Sequence, residues 1–248
     1  MQDKPVALVT GANKGIGLHI ATDLAAHGFT VLVGSRNLAQ GETAATSIGA
    51  DARALQLDVT DQASIADAAE RIRDEFGRLD VLVNNAGISR KPSLPPEEIV
   101  MSNSPSVGSL DNMRAVFETN VFGVMAVTQA MLPFLHEAPA GRIVNIGSSS
   151  GSLTLNSDPS YEHRHVFGAA YSPSKTALHA ISLAFAIELE HTNIKVNIAC
   201  PGFTATALNN FRGTRTVEQG AREAVRLALL GSDGPTGTFS DEDGPVAW

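Results

Sequence analysis

The sequence predicts one α/β domain, in which a doubly wound parallel sheet of about seven strands carries helices on both faces. Short apolar runs alternate with longer segments of helical period through the 248 residues. No repeat, low-complexity tract or interdomain linker interrupts this alternation. A glycine-rich turn follows the first apolar run, as in sheets that bind nucleotides at their first βα connection.

Six apolar runs predict buried strands, at residues 6–9, 30–33, 54–57, 81–83, 142–146 and 195–199, and 237–239 is a candidate seventh. The segments between them predict helices at about 15–27, 38–48, 61–76, 110–137, 172–191 and 216–230. Right-handed crossovers then distribute these helices over both faces of the sheet.

Two stretches break the alternation. Residues 88–109 are polar and proline-rich, and residues 152–167 are irregular. Both are longer than an ordinary βα connection. The first stretch is either a functional loop or a mobile insertion, and both interpretations are kept. We expect the second to be a solvated or substrate-facing loop.

Composition excludes several classes of function. The net charge is −8 without a basic cluster, which argues against nucleic acid as a partner. No apolar run approaches the roughly 20 residues of a membrane span, so no membrane partner is expected. The single cysteine, Cys200, suits a reducing compartment, and the first apolar run is too short for a signal-peptide core. We therefore expect a cytoplasmic protein.

A glycine loop, Thr10-Gly-Ala-Asn-Lys-Gly-Ile-Gly, joins the first strand to the first helix. Glycines at such a turn let a pyrophosphate approach the backbone N–H groups of a helix N-terminus, whereas a plain βα turn needs only one. The spacing therefore predicts a dinucleotide site, with the candidate residues Gly11, Asn13, Lys14, Gly15, Ile16 and Gly17.

The second strand ends at Ser35 and Arg36, with no carboxylate to bind a ribose 2′-hydroxyl. Arginine suits a 2′-phosphate instead, and Lys14 could reach the same group. These residues favour NADP(H) over NAD, although a solvated charge at a strand end is the alternative for Arg36.

Other strand ends carry further candidates, because open α/β sheets bind ligands at the carboxyl ends of their strands. Asp58 could accept a hydrogen bond from an adenine amino group or simply cap its loop. Small residues after the fourth strand allow close approach, and threonines after the sixth could hold a carboxamide. The candidate cofactor residues here are Asp58, Val59, Asn85, Ala86, Gly87, Pro201, Gly202, Thr204 and Thr206.

Tyr171 and Lys175 are four residues apart on a predicted helix and so share one face. An ammonium group beside a phenol is expected to lower the phenol pKa from about 10, which suits a proton donor or acceptor. Asn120 lies in an apolar stretch and needs partners, and Ser148 follows the fifth strand at the same crevice. Taken alone, the pair could also be a buried tyrosine beside a surface lysine.

His163 and His165 form an H-x-H pattern beside Glu162. No further ligands accompany them, and the other histidines are scattered over predicted helices, so no metal site is predicted.

These motifs, in this order, resemble the classical short-chain dehydrogenases/reductases over nearly the whole chain. The matching residues are T-G-x-x-x-G-I-G at 10–17, N-N-A-G at 84–87, Asn120, Ser148, Y-x-x-x-K at 171–175 and P-G-x-x-x-T at 201–206. The resemblance implies a single Rossmann-type domain and hydride transfer with NADP(H). The Asn13-Lys14 and Ser35-Arg36 pairs look like the NADPH-dependent carbonyl reductases.

The resemblance also implies roles. Tyr171 would be the general acid in reduction of a ketone or aldehyde. Lys175, like Tyr171 a cofactor contact, would hold the nicotinamide ribose and lower the tyrosine pKa. Ser148 would bind the substrate carbonyl and stabilise its developing charge. Asn120 would position Lys175, through its backbone or a water, and begin a proton relay.

The resemblance further implies that Asn85 lies along the cofactor and that the Thr204 backbone meets its carboxamide. The two long insertions and the short segment after Thr206 depart from the usual pattern. We expect the insertions to form the substrate-pocket walls. A dimer, a tetramer and a monomer remain open.

Three alternatives compete with this interpretation. An alcohol dehydrogenase working in the oxidative direction has the same residues. A non-catalytic NADP(H)-binding regulator needs the glycine loop and Arg36 but not the complete set Asn120, Ser148, Tyr171 and Lys175. A nucleotide-sugar epimerase or dehydratase would resemble T-G-x-x-G-x-x-G with a longer substrate domain, and this chain has neither.

Overall fold

The computed structural model describes residues 4–92 and 104–248. Within these ranges, eight strands form one sheet in the order β3-β2-β1-β4-β5-β6-β7-β8, and only β8 runs antiparallel to its neighbour. The strands are β1 (Val6–Thr10), β2 (Thr30–Ser35), β3 (Ala52–Gln56), β4 (Val81–Asn84), β5 (Arg142–Ile146), β6 (Lys195–Ala199), β7 (Phe239–Asp241) and β8 (Gly244–Pro245).

Helices connect the parallel strands. They are α1 (Gly15–Ala26), α2 (Leu38–Ile48), α3 (Gln62–Glu75), α4 (Leu110–Phe117), α5 (Gly123–His136), α6 (Leu153–Ser157), α7 (Tyr171–Glu188) and α8 (Val217–Ala228). A π-helical turn, Glu118–Phe122, joins α4 to α5 without a break.

The alternation of side chains along each strand builds two cores, one on either face of the sheet. Leu8 and Leu82 belong to the core that includes residues of α3, α5 and α7. Val9 and Val83 belong to the opposite core, with residues of α1, α2 and α8. Burial of both faces explains why the strands are continuous apolar runs.

The predicted fold class and the six predicted strands are confirmed, and the candidate seventh is β7. The short antiparallel β8 was not predicted. Residues 152–167, expected to be irregular, contain α6 and a 3₁₀ turn, Arg164–Val166. Residues 93–103 of the first insertion lie outside the described residues.

The continuous helix Leu110–His136 has 27 residues and is long and apolar enough to cross a membrane by length and composition alone. The expectation that no run approaches this length was therefore wrong. Val127, Met131 and Leu135 on this helix are buried in the sheet core, which is the position of a core helix rather than of a free span.

The order in which strands are added to the sheet reverses at β1, which pairs with β2 on one side and β4 on the other. At such a switch point the connections leave in opposite directions and open a crevice at the carboxyl ends of the strands. The ends of β1 and β4 thus position the candidate site.

Candidate active site

The glycine loop encloses a space that residues with a Cβ atom would fill. Gly11 and Gly15 have φ values of +63° and +59°, which disfavour other residues. A Cβ on Gly11 would lie 3.0 Å from the Ala86 Cα, and one on Gly17 would lie 2.3 Å from the Asn85 Nδ2. Lys14 makes no side-chain cap at the start of α1, so the helix N-terminus is left for an anion. The loop therefore fits a dinucleotide pyrophosphate.

Asn85 and Ala86 fasten the end of β4 to this loop. The Asn85 Nδ2 donates to the backbone oxygens of Thr10 (2.8 Å) and Gly11 (3.1 Å). The Asn85 and Ala86 backbone N–H groups both donate to the Thr10 hydroxyl at 3.0 Å. The Asn85 side chain thus holds the glycine loop in shape.

The predicted 2′-phosphate residues lie at the neighbouring strand end. Ala12 N–H donates to the Gly34 carbonyl (2.9 Å), which brings the glycine loop against the end of β2. Lys14 and Arg36 are exposed, and neither has an ion-pair partner among residues 4–92 and 104–248. The Ser35 hydroxyl donates to the Asn37 carbonyl (2.9 Å), so it is engaged in its own turn.

Asp58 caps its loop, one of the two readings left open by the sequence. Its Oδ1 accepts from the Thr60 N–H (3.0 Å) and hydroxyl (2.7 Å). Val59 beside it is buried, and a Cβ on Gly123 would lie 2.8 Å from the Val59 carbonyl oxygen. Helix α5 therefore packs directly on this strand end.

The segment after β6 is a compact turn. The Thr204 hydroxyl donates to the Pro201 carbonyl at 2.8 Å, and the Asn209 side chain bonds Thr204 O (2.8 Å) and Thr206 N (3.2 Å). A Cβ on Gly15 would lie 3.9 Å from the Thr206 Cγ2, so the turn lies beside the glycine loop. Thr206 is therefore next to the pyrophosphate cradle, whereas the Thr204 hydroxyl is engaged within its own turn.

Three of the four predicted catalytic side chains meet where β5 ends and α7 begins. The Ser148 side chain lies close enough to the Tyr171 phenol to lower the phenol pKa. The Lys175 Nζ lies 5.7 Å from the centre of the tyrosine ring and donates to the Ile146 carbonyl at 2.7 Å. The i, i+4 spacing on α7 is what places the amine beside the phenol.

Burial controls the protonation of this pair. It raises the pKa of Tyr171 to about 12, against the lowering effect of the Ser148 side chain. It also lowers the pKa of Lys175 to about 8. The expected lowering of the tyrosine pKa by Lys175 is therefore wrong in this structure, because the cost of desolvating the phenolate is the larger effect.

Asn120 lies in the π-helical turn, a distortion that is frequent at functional sites. Its Oδ1 accepts from Ile88 N–H (2.8 Å), and its Nδ2 donates to the Ile88 carbonyl (2.9 Å) and the Ser174 hydroxyl (3.0 Å). The side chain thus joins the first insertion to the residue before Lys175, and none of these three bonds is to Lys175 itself.

A buried polar network fixes α7 against the sheet. The Asn84 Nδ2 donates to the Asn145 Oδ1 (2.8 Å) and the Thr128 hydroxyl (3.1 Å), and the Asn145 Nδ2 donates to the Ser182 hydroxyl (2.8 Å). It links β4, β5, α5 and α7. Sequence reasoning missed it because strand pairing, not spacing, brings Asn84 and Asn145 together.

The second insertion surrounds an open cavity of about 740 Å³. Its wall includes the apolar residues Leu153, Pro159, Tyr161 and Phe167 with Arg164 and His165. Neither Ser148 nor Tyr171 belongs to the wall, so the cavity lies beside the catalytic group rather than over it. From the first insertion, the Ser89 hydroxyl donates to the Leu208 carbonyl at 3.1 Å and ties this insertion to the segment after β6.

Both histidines of the H-x-H pattern make contacts with the neighbouring Glu162. The His163 Nε2 lies 3.2 Å from the Glu162 carboxylate, and the His165 Nδ1 lies 3.0 Å from the Glu162 carbonyl oxygen. In the part of the chain that the structure describes, no three His, Cys, Asp or Glu side chains gather as metal ligands.

Sequence reasoning also missed His179 and Ser150. The Ser150 N–H donates to the Ser148 Oγ at 3.2 Å, and the Ser148 N–H donates to the His179 Nε2 at 3.4 Å. One signal was available, since His179 is four residues beyond Lys175 and so continues the face of α7 that carries Tyr171.

The chain is similar to known proteins over most of its length. A family model described as short chain dehydrogenase matches residues 5–216. A short-chain dehydrogenase of Penicillium roqueforti, anuI, is 37% identical over 92% of this chain and 90% of its own.

Solved structures agree with that match. Salutaridine reductase from Papaver somniferum superposes with a TM-score of 0.80 at 29% identity, covering 95% of this chain and 99% of its own. A 3-ketoacyl-(acyl-carrier-protein) reductase from Brucella melitensis complexed with NADH has a TM-score of 0.80 at 27% identity, covering 96% of each chain. With the glycine cradle and the serine, tyrosine and lysine side chains gathered at one sheet edge, these matches show that the protein belongs to the short-chain dehydrogenase/reductase family.

Proposed function

We propose that this protein is an NADPH-dependent carbonyl reductase that converts a ketone or aldehyde into an alcohol. One observation carries the proposal: Ser148, Tyr171 and Lys175 converge at the carboxyl end of β5, next to a strand switch point that has a dinucleotide cradle. A regulator that only binds the nucleotide would not need this convergence.

The bound NADPH would supply the hydride, and the side chains supply geometry and the proton. A tyrosine with a pKa of about 12 holds its proton at neutral pH, so Tyr171 can donate it to the forming alkoxide. The Ser148 hydroxyl orients the carbonyl oxygen and stabilises its charge. Lys175 would hold the nicotinamide ribose, and Asn120 would support Lys175 through Ser174 and the π-helical turn.

The preference for NADPH rests on charge at the end of β2. Lys14 and Arg36 are exposed cations at adjoining loops, and no carboxylate ends this strand. The Brucella structure holds NADH, so the fold itself does not decide between the two cofactors. The two cations favour the extra phosphate of NADPH.

The proposed substrate has a bulky apolar body beside its carbonyl group. Leu153, Pro159, Tyr161 and Phe167 give the cavity of about 740 Å³ in the second insertion an apolar surface beside the polar residues of its wall. Salutaridine reductase is by its name a reductase, which supports the reductive direction. We also propose a cytoplasmic location. The oxidative direction remains the second candidate, because the same residues catalyse both directions.

The test is NADPH oxidation by the purified protein with a panel of aldehydes, aliphatic and aryl ketones, cyclic ketones and ketoesters. We expect turnover with bulky ketones and a lower KM for NADPH than for NADH. Tight NADPH binding without turnover of any carbonyl, or of any alcohol with NADP, would instead identify a regulator.

A further inference from the structure

His179 lies directly behind the catalytic serine, in a place that the proposed reaction does not use. The residue is 3% exposed, and its Nε2 accepts the Ser148 backbone N–H at 3.4 Å. A Cβ on Gly147 would lie 2.4 Å from the Ile198 Cγ2 and 2.7 Å from the same histidine nitrogen. The glycine therefore leaves room for both the isoleucine and the imidazole beside the chain.

The remaining contacts hold the imidazole ring in place. Its centre lies 4.4 Å from that of Phe239 and 6.2 Å from that of Trp248, which meets it edge-on. The Trp248 carbonyl accepts the Thr154 N–H at 2.8 Å, which links this ring cluster to α6 in the second insertion. The ring therefore connects the wall of the cavity to the turn that bears Ser148.

Only the neutral imidazole with its proton on Nδ1 can accept at Nε2. Burial, and next the neighbouring Lys175, lower the pKa of His179 to about 3. The ring is therefore uncharged at neutral pH and can act as a permanent acceptor.

We propose that His179 is a positioning residue: by accepting the Ser148 backbone N–H, it fixes where the serine hydroxyl meets the substrate oxygen. The inference rests on the proposed carbonyl reduction. The Ser148 hydroxyl is also held by Ser150 N–H at 3.2 Å, so the serine is anchored on both sides of its Cα. An ordinary buried histidine would contribute to folding without this effect on Ser148.

A double-mutant cycle separates these roles, because coupled residues give non-additive losses. We expect His179→Leu to lower kcat about tenfold, the effect of one hydrogen bond, with an unchanged dissociation constant for NADPH. His179→Gln keeps an acceptor at the same reach and should stay within about threefold of the wild type. In the Ser148→Ala background, His179→Leu should change kcat less than about twofold.

Losses that multiply across the cycle, or a Gln variant as impaired as the Leu variant, would overturn the proposal. A measurement on the wild type covers the case in which His179→Leu does not fold. The ¹⁵N shifts of the imidazole should show a protonated Nδ1 and a bare Nε2 at neutral pH, and the opposite tautomer would refute the proposal. This spectrum does not depend on turnover, so failure of the proposed reductase activity is recognised separately.

Discussion

Tyr171 keeps its proton at neutral pH because burial raises its pKa to about 12. This state suits an acid that protonates an alkoxide, and the reverse reaction requires help to remove the same proton. At the residue scale, therefore, the phenol is in the protonated state that the proposed reduction requires. The Ser148 side chain opposes the shift, and Lys175 lies 5.7 Å from the ring centre.

Replacing the phenol tests this acid directly. Tyr171→Phe should reduce kcat by roughly 10²–10⁴-fold, the usual contribution of general acid catalysis. NADPH binding, measured by fluorescence titration, should remain within a few-fold of the wild type since the ring stays in place. Turnover at the wild-type rate would remove Tyr171 from the mechanism.

Arg36 provides the test of cofactor preference. Arg36→Ala should raise the KM for NADPH tenfold or more and change that for NADH little, because a charge-assisted contact to the 2′-phosphate is lost. The matched control is Arg73→Ala, an exposed arginine of α3 whose ion pairs are to Glu70 and Asp74. Equal effects on both cofactors would contradict the preference for NADPH.

Lys175 makes binding depend on pH. Its pKa is lowered to about 8, so the amine loses its charge as pH rises through that value, and NADPH binding should weaken by up to tenfold per pH unit above it. Titrations of NADPH between pH 7 and 9.5 would show this slope. In Lys175→Met the slope should disappear, and its persistence would assign it to another group.

At the scale of elements, the sequence predicts the helices and strands from the periodicity of their apolar residues. The strands are continuous apolar runs because both faces of the sheet are buried, and the helices have apolar residues at helical spacing because each covers one face. What the sequence did not show depends on three-dimensional neighbours. The π-helical turn at 118–122 lies within one continuous predicted helix, and β8 has only two residues. The direction of the Tyr171 pKa shift was missed for the same reason, since spacing identifies Lys175 as a neighbour but does not reveal how much water is excluded.

The same applies within the site. The residues of the glycine loop and of the serine, tyrosine and lysine set could be predicted because each has a local motif. The Asn84–Asn145–Ser182 network and the acceptor role of His179 could not, because strand register and helix packing create them.

The network that holds α7 gives an element-scale prediction. Asn145→Ala leaves the buried Asn84 and Ser182 side chains without their shared partner, so the free energy of unfolding should fall by about 2–4 kcal/mol. Urea denaturation measures the change. Gln129→Ala, at an exposed position on α5, is the control and should change stability by less than about 0.5 kcal/mol. A similar loss in both variants would mean that the network contributes little.

For the molecule as a whole, the two ends of the parallel strands have different roles. The carboxyl ends of the strands hold the candidate site. At the opposite, amino end of β5, Arg142 stabilises the connections between elements. Its guanidinium, 3% exposed, donates to the carbonyls of Gly141, Asn193, Leu230 and Gly231. One side chain therefore joins β5 to the chain before β6 and after α8.

Arg142→Met should separate stability from catalysis. It removes five hydrogen bonds, although the Gly141 and Gly231 carbonyls keep the N–H groups of Lys195 and Gly234 as donors. We therefore expect the free energy of unfolding to fall by about 1–3 kcal/mol. Because the site is at the other end of β5, kcat below the new melting temperature should stay within about twofold of the wild type. A large loss of kcat in the folded variant would show that the two ends of the strands are coupled.

The open N-terminus of α1 has a consequence for the lifetime of the protein. Its first N–H groups lack a side-chain cap, so occupancy of the cradle completes the helix and favours the folded chain. A ligand at a hundred times its dissociation constant adds about 2.7 kcal/mol to stability. We therefore expect resistance to heat and to proteolysis to rise with the concentration of nucleotide.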